Sequence, residues 1–352
     1  MKQMRAVLVG LGNMGRNHLR VLDKSQDFKI CAVVEQNRPD SLPVLSHPVD
    51  WFESIDQLDP KDFDCAVVAT PTQTHYELVK SLILKGFHVL VEKPAASTYE
   101  QATDLAKMAS EKGLFLAVGN IERCNPVVAK LKDVLESGAI GTPVHLNATR
   151  GGAFPNAVKP GNNVILDLAV HDLDVFRLLL GPLKVDRSVA HSTLQNEILD
   201  TAEISVSNQE GITGTVHVNW LSPQKIRQIR VTGSKGVCTV DYIAQTCIVH
   251  GKDLDESLLG KAGEFTRSEH KFCEEVHFVV SKGEPLGIQL EQWAKCLAGE
   301  THNLAVKDQL TESVFLAETS MSSSDGGLEP MFFEQSTWKP HFSQQPQQGQ
   351  LN

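Results

Sequence analysis

The segment Val9-Gly10-Leu11-Gly12-Asn13-Met14-Gly15 constrains the fold of this 352-residue chain more than any other. It follows an apolar run over 5–9 and opens a stretch with helical spacing, so strand, glycine turn and helix come in immediate succession. In that setting the first glycine permits a tight turn, the second lets backbone amides approach a pyrophosphate, and the third lets helix and strand pack closely. The helix N-terminus then stabilises the phosphate charge. Glu35 ends the next apolar run, twenty residues past Gly15. A carboxylate there accepts from both hydroxyls of an adenosine ribose and repels a 2′-phosphate, which favours NAD over NADP. Arg38 runs against that selectivity, and the blander reading of Glu35 is a solvated strand-end acid. The expected cofactor site thus begins with Gly10, Gly12, Asn13, Met14, Gly15 and Glu35.

The first third of the chain repeats this grammar. Runs over 5–9, 28–34, 65–69, 88–91 and 115–118 are short, rich in β-branched residues and bounded by Gly, Pro or Asp, as buried parallel strands are. Stretches near 15–23, 74–85 and 98–111 have helical spacing, the last opened by Ser97 and Thr98 as candidate caps. Residues 1–120 are therefore expected to form a doubly wound Rossmann domain.

Beyond Asn120 the pattern changes. Helices over 126–135 and 165–180 meet stop signals at Ser137-Gly138 and Gly181-Pro182. Alternating strands follow over 185–190, 202–206, 213–219, 227–232, 237–240 and 245–249, with few helices between them. The fold class expected is α/β plus α+β: the Rossmann domain, then an open, mainly antiparallel β-sheet domain over 121–334 for substrate binding and oligomerisation. Late helices over 285–298 and 308–321 should return to brace the molecule. The Gln-, Pro- and Ser-rich tail, 335–352, has little to bury and is expected to be disordered.

Charge and cysteine content exclude several functions. Lys and Arg total 33 against 43 Asp and Glu, a net charge of -10 that opposes nucleic acid and anionic lipid as partners. The seven cysteines form no Cys-x-x-Cys pair, which fits a reducing compartment. No run approaches the roughly 20 apolar residues of a membrane span, so a cytoplasmic protein is expected.

Three further groups of residues point to chemistry. Ala69-Thr70-Pro71-Thr72 and Glu92-Lys93-Pro94 end apolar runs, at the strand edge where open α/β sheets bind ligands. Lys93 there faces the chemistry, although most lysines before a proline are surface groups at a rigid turn. Asp167 and His171, four apart at the front of the 165–180 helix, share one face, suited to acid–base work. Packing ranks second for this pair. A metal ranks a distant third, since no further ligands accompany it, and none is expected.

Together, Gly10-x-Gly12-x-x-Gly15, Glu92-Lys93-Pro94 and Asp167-x-x-x-His171 resemble the Gfo/Idh/MocA oxidoreductases, from about residue 4 to residue 322. Within that family, Glu122-Arg123-Cys124-Asn125-Pro126, 150–155, 164–172 and 219–225 are similar to a narrower branch, the UDP-N-acetylglucosamine 3-dehydrogenases. The resemblance implies NAD-linked oxidation of a sugar ring hydroxyl to a 3-keto sugar nucleotide, which a PLP aminotransferase would then consume. It implies that Thr70, Pro71, His75, Glu92 and Asn120 complete the cofactor site, and that Lys93, Arg123, Asn125, Arg150, Asn163 and His171 meet the sugar or sugar nucleotide. Arg123 and Arg150 are the diphosphate candidates, against surface ion pairs as the plainer reading. It implies that His171 takes the hydroxyl proton while Lys93 bonds the oxygen and, if its pKa is depressed, shares the proton, with Asp167 orienting the catalytic group. A homodimer or homotetramer is also implied. Asn120, Gly152-Ala153 and Asn162-Asn163 depart from the family pattern and leave the sugar open. Rival readings are an inositol or free-sugar dehydrogenase, an NADP-linked reductase, and a non-catalytic NAD-responsive regulator that should have eroded Lys93, Asp167 or His171.

Overall fold

The fold is a computed structural model that describes residues 3–37, 44–155, 158, 162–194, 198–307 and 309–323. Arg38 and the expected disordered tail, 335–352, lie outside these residues. The chain runs β1 (Met4–Val9), α1 (Asn13–Asp23), β2 (Phe28–Val34), β3 (Asp50–Phe52), β4 (Cys65–Val68), α2 (Thr72–Lys85), β5 (His88–Glu92), α3 (Tyr99–Glu111), β6 (Leu116–Gly119), α4 (Pro126–Ser137) and β7 (Pro143–Ala153). It continues through α5 (Val170–Leu180), β8 (Leu183–His191), β9 (Thr201–Asn208), β10 (Thr213–Asn219), β11 (Leu221–Gly233), β12 (Gly236–Asp241) and β13 (Thr246–Gly251). The last elements are α6 (Glu256–Ala262), β14 (Phe265–Glu269), β15 (Glu274–Phe278), α7 (Pro285–Leu297), β16 (Ala305–Val306) and α8 (Gln309–Ser323).

Two compact units emerge: Met1–Asn125 with Asn156–Asp174 and Gly283–Thr319, and Pro126–Pro155 with Val175–Lys282 and Ser320–Asn352. The expected boundary at 120 is close to the first crossing at 125. The chain then returns twice to the first unit, bringing Asp167, His171 and α7 with it.

The first unit is built on a seven-stranded sheet in the order β16-β6-β5-β4-β1-β2-β3, parallel except at β16. Strand order reverses between β1 and β4, the switch point where such sheets take ligands. Strand alternation sends Ala6, Leu8, Cys65 and Val67 to one face, against Leu19 and Leu22 of α1 and Leu290 and Trp293 of α7. Val7, Val9, Ala66 and Val68 go to the other face, with Val79 and Leu82 of α2, Leu105 of α3 and Val314 of α8. Double winding follows from this, because strands apolar on both faces need helices on both. Thr98 accepts from Gln101 N at 3.2 Å and caps α3, as its side-chain oxygen allows.

The second unit holds a nine-stranded sheet in the order β14-β15-β13-β12-β11-β7-β10-β9-β8, antiparallel except for the β7–β10 pair. The sequence pattern misses β7, the sixth in that order, because Asn147, Thr149, Arg150 and Gly151-Gly152 dilute its apolar content; β14, β15 and α6 are missed as well. Helix α4 packs on β12 and β13, and Phe176 of α5 lies where a Cβ on Gly214 would stand, 2.6 Å from its ring. The other face is polar: His145 and Asn147 on β7, Gln228 and Arg230 on β11, His250 on β13, Glu275 and His277 on β15.

Candidate active site

The glycine loop shows the tight turn and the close helix packing read from its sequence. Gly10 adopts φ +93°, and a Cβ there would lie 2.7 Å from Thr70 Cγ2, since β1 and β4 converge at the switch point. A Cβ on Gly15 would stand 2.1 Å from Gly10 O, so only glycine lets α1 approach the loop. Among the described residues nothing lies within 4 Å of a Cβ built on Gly12, and no side chain caps α1. That opening, with the first-turn amides of Asn13, Met14 and Gly15 bordering it, fits a pyrophosphate. Glu35 Oε2 accepts from Leu11 N at 2.7 Å and Oε1 from Asn37 N at 3.5 Å, which ties the acid expected to select the ribose to the loop itself.

At the neighbouring strand ends, several side chains expected at the cofactor are turned inward. Thr70 Oγ1 accepts from Thr74 Oγ1 at 2.8 Å, and Pro71 is the N-cap of α2. His75 is buried, its ring nitrogens facing Pro94 O at 2.9 Å and Thr70 O at 3.0 Å, so it braces two turns rather than reaching outward. Glu92 is buried with Oε1 at 2.7 Å from His18 Nε2. Asn120 Nδ2 donates to Asp174 Oδ1 at 2.8 Å, and both residues are buried. These three side chains hold the site's frame, a correction to their expected place against the cofactor.

Lys93 stands where the sequence puts it, just past β5, and its peptide to Pro94 is cis. Its Nζ donates to the backbone oxygen of Asp167 at 2.7 Å and to Oδ1 at 3.3 Å. The lysine side chain is 17% exposed and that of Asp167 38%, so the pair is open on one side. Asp167 lies in a π turn over Ile165–Ala169, which leads straight into α5. Wide turns of this kind are frequent at functional sites. Asn163 Oδ1 accepts from Ile165 N at 2.9 Å and Leu166 N at 3.0 Å, so the asparagine expected to meet substrate caps this turn. His171 is in the first turn of α5, one turn past Asp167, partly exposed and in the same unit as Lys93.

Arg123 is a clear correction. Its Nε and Nη2 donate to Asp174 Oδ2 and Oδ1, each at 2.7 Å, and Nη1 donates to Gln309 Oε1 at 2.7 Å. Burial lowers the guanidinium's pKa, but the charge and hydrogen bonds of Asp174 outweigh this and the net shift is upward. A guanidinium so engaged cannot grip a diphosphate. Asn125 is buried too, its Nδ2 donating to Glu122 Oε2 at 3.1 Å. Burial pushes the neighbouring Cys124 thiol up to about 12, which leaves it protonated and unreactive. Arg150, in the second unit, is buried with its guanidinium 5.2 Å from the Tyr242 ring centroid. Among the described residues no group of three or more His, Cys, Asp or Glu is arranged to hold a metal, and no helix is long and apolar enough to cross a membrane.

Sequence reasoning missed His18 and Asp174. His18 occupies a core-facing position of α1 beside Leu19 and Leu22, and a polar ring in an apolar stripe was the available signal.

Residues 4–120 match the NAD-binding Rossmann-fold family of oxidoreductases called GFO/IDH/MocA, and residues 128–239 match that family's C-terminal domain. The chain belongs to the GFO/IDH/MocA family. Its first unit is an NAD-binding Rossmann domain and the protein is an NAD-dependent oxidoreductase. The UDP-N-acetylglucosamine 3-dehydrogenase of Acidithiobacillus ferrooxidans is 28% identical over 254 residues, 71% of this chain and 78% of that protein. The scyllo-inositol 2-dehydrogenase (NAD(+)) of Bacillus subtilis is 26% identical over 234 residues, 63% and 68% of the two chains. The solved structure of the Acidithiobacillus enzyme superposes with a TM-score of 0.75 at 23% identity, covering 92% of this chain and 99% of that one, a likeness of fold.

Proposed function

We propose that the protein oxidises a ring hydroxyl of a sugar, the 3-hydroxyl of UDP-N-acetylglucosamine or a related UDP-sugar, to a 3-keto sugar nucleotide. The observation that carries this is the ammonium of Lys93 held by Asp167, with His171 one turn further along the same helical run. NAD, when bound, supplies the hydride acceptor. His171 takes the hydroxyl proton, since imidazole exchanges protons near neutral pH. Lys93 donates a hydrogen bond to the same oxygen, and Asp167 fixes the direction of that donor. Asn13, Met14 and Gly15 present backbone amides to the coenzyme's diphosphate, while Glu35 selects its ribose.

A nucleotide substrate needs a cationic partner for its own diphosphate. Arg123, one of the two arginines expected to hold it, is committed to Asp174. The same commitment favours a second reading, a dehydrogenase of a free polyol such as inositol, which has no diphosphate to hold. A 3-keto sugar nucleotide would pass to a PLP-dependent aminotransferase. We also propose a cytoplasmic homodimer or homotetramer.

Purified protein with NAD and, separately, UDP-N-acetylglucosamine, myo-inositol and free glucose decides between these, read as NADH absorbance. Turnover with the UDP-sugar alone supports the first reading, turnover with inositol alone replaces it by the second, and no turnover with any of them refutes both.

A further inference from the structure

The mechanism leaves unused a buried pair beneath its own lysine. His18 is 1% exposed, and its Nε2 lies 2.7 Å from Oε1 of Glu92, the last residue of β5. The other carboxylate oxygen of Glu92 accepts from Lys93 N at 3.3 Å. On the neighbouring strand, a Cβ placed on Gly119 would meet Glu92 Cα and Cδ at 3.3 Å each. The carboxylate is thus bounded by α1, by β6 and by the peptide from which the Lys93 side chain departs. Among the described residues Nδ1 of His18 is buried without a hydrogen-bond partner. The ring therefore puts its proton on Nε2, where it donates to Glu92, because a buried N–H at Nδ1 would go unmet.

Resting on the reading of Lys93 given above, we propose that His18 is a positioning residue for that lysine, acting through the Glu92 carboxylate. Helix α1 carries both the amides that border the pyrophosphate opening, at its first turn, and His18 at its second. The His18–Glu92 bond fastens that helix to the strand end that presents Lys93, so the coenzyme and the substrate-facing ammonium share one rigid reference. Displacements near 1 Å at a reacting centre cost about 100-fold in rate, and the link prevents such displacement at position 93. The burial of both groups makes the link directional: a hydrocarbon at position 18 fills the space but leaves Glu92 without its donor.

His18→Leu and Glu92→Ala should each lower kcat by about 10- to 100-fold at a KM for substrate within about 3-fold, and the double variant should be no slower than the slower single. His18→Gln, which keeps a donor, should recover activity to within about 5-fold of the parent. If His18→Leu does not fold, His18→Asn, whose shorter amide stops short of Glu92, takes its place. A readout without substrate is added: reductive 13C-methylation, with the Lys93 resonance assigned by its absence in Lys93→Arg. In His18→Leu that resonance should move towards those of surface lysines, while the dissociation constant of NADH, read by fluorescence, changes less than about 3-fold. An unmoved Lys93 resonance, additive rate losses, or equal losses in the Gln and Leu variants overturn the proposal. Should the parent oxidise no sugar or polyol, the proposed function fails, but the resonance still decides the link between His18 and Lys93.

Discussion

Replacing Asp174 with Asn tests how firmly the first unit depends on one buried ion pair. The side chains of Arg123 and Asp174 are 2% and 3% exposed, and two bonds of 2.7 Å join them in a forked contact. The amide keeps the shape and one acceptor but removes the charge, stranding a guanidinium in the interior. Breaking a buried pair in this way costs about 3–5 kcal/mol. The charge of Glu312 also raises the Arg123 pKa, so part of the compensation survives and the lower end, about 3 kcal/mol, is expected. Against a total stability of about 5–15 kcal/mol that loss is large. Urea unfolding followed by tryptophan fluorescence measures it, with Trp51 and Trp293 reporting on the first unit. Arg123→Met should cost a similar amount, since it strands the carboxylate. The pair Arg123→Met with Asp174→Leu should cost at least about 2 kcal/mol less than the two singles added together, because no charge is left unpaired. Single losses under about 1 kcal/mol, or losses that simply add, would refute the reasoning.

Lys93→Ala should reduce kcat by at least about 100-fold, the scale of a lost proton-handling group, while NADH still quenches or enhances fluorescence with the parent's dissociation constant; wild-type turnover would remove Lys93 from the mechanism. Gly12→Ala should leave the melting temperature unchanged, since its Cβ meets nothing within 4 Å, yet weaken NADH binding by at least about 10-fold by filling the pyrophosphate opening. Gly15→Ala, whose Cβ would fall 2.1 Å from Gly10 O, should lose both stability and coenzyme affinity. Glu284, hydrogen-bonded by Arg20, is held below the ordinary carboxylate range. Its stabilising effect is therefore full above the ordinary value and lost as pH falls through the depressed one. With both side chains about half exposed it should amount to less than about 1 kcal/mol, and Glu284→Gln should flatten stability against pH only below about pH 4.5.

The Rossmann half was legible because its signals are local. Apolar runs bounded by Gly and Pro mark β1, β2, β4, β5 and β6, and the glycine spacing fixes both a turn and a ligand class. β7 was illegible for the opposite reason. Its place inside the second sheet is secured by pairing with β10 and β11, which lie more than sixty residues away, and its own composition reads as a loop. Lys93 and the Asp167 segment were each singled out in the sequence, but their meeting is a tertiary fact spanning 74 positions. Arg123 shows where residue type misleads: its chemistry suits phosphate, and only the structure reveals that Asp174 and Gln309 already occupy its donors. His75 and Asn120 were misplaced in the same way, as polar side chains near a ligand edge that point into the protein.

The arrangement of α5 links these inward residues to the proposed reaction. His171 and Asp174 lie three apart in the opening turn of one helix, where neighbouring positions are held in fixed relation by the backbone ladder. Asp174 is locked by Arg123 and Asn120, and Asn163 caps the π turn that precedes it. In the mechanism proposed above, His171 must keep its direction without being buried, and it is only partly covered. Its helix adds rigidity, anchored below by the carboxylate of Asp174 and ahead by the grip of Lys93 on Asp167. On this view the buried ion pair belongs to catalysis through geometry alone. A variant at Asp174 that folds should shift His171 and lower kcat, while NADH binding, expected at α1 and Glu35, stays intact.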